Sequence, residues 1–122
     1  MIRAIAAAAV FFVAAIGPAS AQRAVIRGLD KVTGHASDYT LTVGRAARIG
    51  SLEVIARACH KSAPEETPEV RIYVEVFDHP PAREGEESER REIFHGWLFA
   101  SSPSLAAVDH PTYDLWAIDC RP

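Results

Sequence analysis

In the segment VRIYVEVFD (70–78), Val70, Ile72, Val74 and Val76 fall on one side of an extended chain, with Arg71 and Glu75 on the other. A helix cannot use that two-residue period, so the segment predicts a strand with one buried face. Similar runs recur about every ten residues, punctuated by turn residues. They are AVIRGLDK (24–31), YTLTV (39–43), RAARIG (45–50), SLEVIARAC (51–59), EIFHGWLFA (92–100) and YDLWAIDC (113–120). Such a chain must fold as a small, mostly β domain, an antiparallel sandwich or a partly open barrel. One short helix is expected near residues 103–109: Ser102 can cap it, Pro103 suits its first position, and His110-Pro111 ends it.

Strict alternation in the last run would place Trp116, Ile118 and Cys120 together, opposite Tyr113, Leu115 and Ala117. In the fourth run it would place Cys59 with Ile55 and Arg57. Between Asp78 and Glu92 the chain is charged, holds two prolines and has no aliphatic residue larger than alanine. It cannot bury surface and is expected to be a long hairpin connection.

The first residues set the compartment. Arg3 precedes an apolar run, Ala4–Ile16, which breaks at Gly17-Pro18 before Ala19-Ser20-Ala21. That order of charge, short apolar stretch and small residues predicts a cleavable signal peptide over 1–21, because spanning a bilayer takes about 20 apolar residues. The expected mature chain is 22–122, a single β-rich domain exported to the periplasm, with no direct membrane anchor. Cys59 and Cys120 are the two cysteines, and in an oxidising compartment they are expected to form one disulfide.

Taking Arg3 from the 13 basic residues leaves 12 against 16 acidic ones, with no basic cluster. That balance argues against nucleic acid as a partner. For catalysis, no Gly-x-Ser-x-Gly surrounds Ser101, Ser102 or Ser104, and the acidic residues lie mostly in the charged loops. The five histidines form no His-x-x-x-His pair, so neither a metal nor a cofactor is expected. These features predict a protein without enzymatic activity.

The segments GLDKVTG (28–34), LEVIARACHKSAPEETPE (52–69), VEVFD (74–78), IFHGWLFASSPSL (93–105) and HPTYDLWAIDC (110–120) together resemble an exported bacterial family catalogued as domain of unknown function 2155. The resemblance spans about residues 28–121, most specifically Ala58–Glu69 and Gly96–Pro103. It implies a signal peptide and a small periplasmic domain with this cysteine pair, and it supplies no catalytic residue. The resemblance also implies relatives that are often encoded near an accessory subunit of respiratory complex I, which makes an inner-membrane complex an expected setting.

The expected role is therefore binding to another envelope protein. The expected contacts are Pro64, Glu65, Glu66, Pro68 and Glu69 in one loop, and Trp97, Phe99, Ser101, Ser102 and Pro103 in one strip. The alternative is a small-molecule or metal binder whose pocket lies between Trp97 and His95 or His110.

Overall fold

The computed structural model describes residues 6–12, 22–105 and 108–122. The expected signal peptide lies outside the described residues apart from 6–12, which are exposed and carry no regular structure.

Seven strands follow in chain order: β1 (Arg23–Asp30), β2 (Ala36–Thr42), β3 (Ala46–Ile49), β4 (Leu52–Lys61), β5 (Val70–Asp78), β6 (Arg91–Phe99) and β7 (Tyr113–Arg121). Each alternating run of the sequence becomes a strand. β2 begins earlier than its apolar pattern, at Ala36, because its polar first half pairs along β1 from Leu29.

The strands form two antiparallel sheets, one ordered β2-β1-β7 and the other β3-β4-β5-β6. Their inner faces meet, so the molecule is a sandwich. Ile26, Leu115 and Ala117 from the first sheet pack against Leu52, Val54, Ile72, Val74, Val76 and Leu98 from the second. Burying each such branched side chain contributes about 1.5–3 kcal/mol, which is why the period-2 runs dominate the fold. Residues 79–90 form the expected connection between β5 and β6, anchored where Arg90 meets Glu53 at 2.6 Å and lies 3.5 Å over the Phe77 ring.

The helix expected near 103–109 is reduced to a 3-10 turn over Pro103–Leu105. Residues 106 and 107 lie outside the described residues, and Val108 to His110 carry no regular structure. Tertiary contacts decide this segment: Val108 is buried in the core and His110 is held by side-chain and backbone bonds, a geometry that a regular helix would not deliver.

Strict alternation also fails at both cysteines, for one physical reason. In β7, Val25 pairs with Asp119 but Ile26 pairs with Ala117, leaving Ile118 as an extra residue. In β4, Ala56 pairs with Val74 and Ala58 with Tyr73, leaving Arg57 extra. Each bulge flips the side-chain parity beyond it. Cys120 thereby joins Leu115 and Ala117 on the core face, not Trp116 and Ile118, and Cys59 joins Leu52, Val54 and Ala56, not Arg57. The two cysteines are disulfide-bonded, with Cα atoms 5.8 Å apart.

Candidate functional site

The loop between β4 and β5 is closed at its base by its own ends. Ser62 N–H donates to the Glu69 carbonyl and Glu69 N–H donates to the Ser62 hydroxyl, both at 2.9 Å. Pro64, Glu65, Glu66 and Pro68 are held outward and exposed. Glu69 instead turns toward the segment that leaves β6: its carboxylate accepts the Val70 N–H at 3.0 Å, the Ser101 N–H at 3.2 Å and the Ser101 hydroxyl. The Ser101 hydroxyl, followed by its backbone amide, holds the Glu69 carboxyl below the usual carboxylate range.

This contact joins the two stretches that the sequence singles out, the acidic proline-containing loop and the strip from Trp97 to Pro103. Beside it, on the outer face of the four-stranded sheet, Trp97 packs edge-on against Tyr73 at 5.3 Å. The Arg71 guanidinium lies 5.0 Å from the Trp97 ring centre, and the ring of His60, the cross-strand partner of Arg71, lies 5.7 Å from it. His60, Lys61, Glu66, Glu69, Arg71 and Phe99 line an open groove of about 480 Å³ along this edge. Ser102 is half-buried, whereas Ser101 and Pro103 are exposed. His60, Arg71 and Tyr73 are not among the contacts expected from sequence: the outward parity of Arg71 and Tyr73 is legible, but that of His60 lies beyond the β4 bulge, and which strand lies beside each is not written in the pattern.

The structure does not assemble the pocket expected between Trp97 and His95 or His110. His95 shares the outer face with Trp97 but is exposed and engaged by Glu92 at 2.7 Å. His110 is buried at the opposite end of β5 and on its inner side. Its Nδ1 accepts backbone N–H groups from Thr112 at 3.0 Å and Tyr113 at 3.2 Å. Its Nε2 faces Asp78 Oδ1 at 3.4 Å, and its ring stacks on Tyr113. Chain direction explains the separation: the 100–112 segment runs from the Val70 end of β5 to the Asp78 end before β7 begins.

Ser51 donates to the same Asp78 oxygen at 3.1 Å, so the carboxylate stands between serine and histidine. A nucleophile needs the base beside it, with the carboxylate behind the base, so this trio reads as a tie between the β3–β4 turn, β5 and the 100–112 segment. Among the described residues no three His, Cys, Asp or Glu side chains converge as a metal site requires.

The surface is held by depressed carboxylates, which gives it a pH window. Lys61 holds Asp119 below its ordinary value across the end where β4 meets β7, as Arg27 does Asp38 on the first sheet. A carboxyl whose folded value is lowered stabilises the fold above its unfolded value and loses that contribution as pH falls through the folded one. Stability is therefore expected to be level with respect to these groups above about pH 5 and to decline below about pH 4. Thermal melts across acid pH, with amide exchange at Ser101, check this. An Ser101 amide equally protected at neutral pH and well below the carboxylate range would contradict the Glu69 link.

Among the described residues no helix is long and apolar enough to cross a membrane. The disulfide fits an oxidising compartment. The chain is similar to an uncharacterised protein of Rickettsia prowazekii (strain Madrid E), with 23% identity over 95 residues, covering 78% of this chain and 58% of that protein. It thus spans less than two thirds of the relative's length. No solved structure matches it. The family model described as an uncharacterised protein conserved in bacteria, DUF2155, matches residues 24–120, both cysteines included, and the chain belongs to that family.

Proposed function

We propose that this is a periplasmic, non-enzymatic domain that binds another envelope protein through the surface where the 62–69 loop meets the Trp97–Pro103 strip. The observation that carries the reading is the Glu69–Ser101 contact, which turns two separate polar stretches into one fixed, exposed surface. A fixed surface reduces the ordering cost of association. Trp97 and Arg71 beside it are residue types enriched where partners bind, and the exposed Glu65 and Glu66 favour a partner with basic side chains. The groove is open and rimmed by charge, which suits a protein surface better than a drug-sized ligand that must be largely enclosed.

A photo-crosslinking residue at Glu66 is expected to join the exported protein to a dominant envelope partner in living cells. The same probe at Val32, exposed on the turn after β1, is expected to give none. An inner-membrane complex as the captured species would make the domain an accessory subunit. Trp97→Ala is expected to weaken capture at least tenfold while the fold persists, an effect equivalent to about 1.4 kcal/mol. Equal capture from both probe positions would reject this surface. Recovery of the chain alone, together with a small molecule or metal ion that raises the melting temperature, would replace the proposal with the ligand-binding alternative.

A further inference from the structure

The free edge of the four-stranded sheet raises a separate question, independent of the proposed envelope partner. β6 ends that sheet. Its Ala100 end shows which backbone groups face outward: Ala100 N–H donates to the Val70 carbonyl at 2.9 Å, and the pairs then alternate along the ladder. Leu98 and Gly96 therefore bond to β5, whereas Phe99, Trp97 and His95 turn their N–H and C=O groups away from it. Among the described residues, no backbone group takes these outward positions.

An edge of this kind is normally blunted by charge, proline or shortness. The other edges have such protection: β3 is four residues long, β2 carries the Arg27–Asp38 ion pair, and β7 is bulged at Ile118 and flanked by Pro103, Ser104 and Val108. β6 is nine residues long and meets the Pro103–Leu105 turn. It is bulged at Ile93, where Val76 pairs with Phe94 but Phe77 with Glu92, and past that bulge the stretch Phe94–Ala100 is regular and holds no charged residue and no proline.

We infer that β6 pairs with β6 of a second copy of this chain, antiparallel about Gly96, joining two four-stranded sheets into one. The stretch is self-complementary in that register. His95 would meet Trp97 through the outward amides on either side of the two-fold axis, while Phe94 would face Leu98 and glycine would face glycine at that axis; the bulge at Ile93 ends the regular pairing. The charges at the start of the strand, Arg91 and Glu92, lie beyond that bulge and outside the paired stretch, so no like charges oppose one another within it. An isologous contact of this form closes on itself and stops at two copies.

The test measures the mass of the purified protein by light scattering over a range of concentrations, alongside His95→Pro. Proline removes an outward N–H and leaves the β5 ladder intact, so the variant should stay folded. Twice the chain mass for the natural protein and the single mass for a folded His95→Pro variant is the expected result. A single mass at the highest soluble concentration overturns the inference, including where another protein's strand is later found on this edge. A dimer that survives His95→Pro also overturns it. Should the proline variant fail to fold, amide exchange on the natural protein decides. Protection of the His95 and Trp97 amides that grows with protein concentration supports pairing, and protection independent of concentration overturns it.

Discussion

Reduction of the Cys59–Cys120 bond is expected to lower the unfolding free energy by about 4 kcal/mol and the melting temperature by roughly 15 °C or more. The bond joins strands of different sheets across a separation of 61 residues, so breaking it releases a long loop in the unfolded chain. It also frees β7 near the end of that strand, Cys120 being the residue before its last, Arg121. A domain of this size is stabilised by about 5–10 kcal/mol in all, so the reduced form should sit near the margin. Reductant is the cleaner perturbation, since both sulfurs remain in the core, whereas Cys59→Ser adds the cost of a buried hydroxyl. Melting curves with and without reductant, with free thiols counted by a chromogenic reagent, decide the matter. Two free thiols and an unmoved curve would mean that the bond adds no stability.

That disulfide shows where a sequence is readable and where it is not. The pairing was legible from two cysteines in a chain whose first residues lead one to expect export, and the strands from apolar residues at every second position. Which way each cysteine faces was not, because parity holds only while pairing is unbroken. Arg57 and Ile118 are extra residues only with respect to the strands beside them, Val74–Tyr73 and Val25–Ile26, and neither partnership is written in the alternating pattern. Both bulges lie two residues before a cysteine, and the two parity flips together bring the sulfurs into the space between the sheets.

The same limit governs the surface. The acidic loop and the Trp97–Pro103 strip were legible as polar or aromatic stretches without a core pattern. Their union through Glu69 and Ser101 depends on β6 lying beside β5 in one register, Arg71 opposite Phe99, which is a long-range choice. His110 marks the converse error. A histidine next to a proline in a polar segment reads as a loop residue available to a ligand. Its ring nitrogen is occupied by two backbone amides, and only the fold brings Asp78 to its other side.

A substitution at Gly50 is expected to strike this buried tie from a turn that looks harmless. Gly50 and Ser51 form the two-residue connection between Ile49 and Leu52, a hairpin that favours glycine first, and Gly50 has φ +58°. An added methyl group there would be strained and would run into the ring and hydroxyl of Tyr113. Tyr113 cannot yield alone, because it stacks on His110, which faces the Asp78 carboxylate that Ser51 also holds. Gly50→Ala should therefore add an overpacking cost of about 1–3 kcal/mol to a backbone cost of about 1–2 kcal/mol. Gly34 provides the comparison, with φ +73° and nothing within 4 Å of where its Cβ would stand, so Gly34→Ala should show the backbone cost alone. Chemical denaturation of both variants, and of Gly50→Ala combined with Tyr113→Ala, separates the terms. If Tyr113 is the obstacle, Gly50→Ala costs less once the ring is gone. Equal costs for Gly34→Ala and Gly50→Ala in the natural background would show that the turn alone resists the change and that Tyr113 moves aside freely.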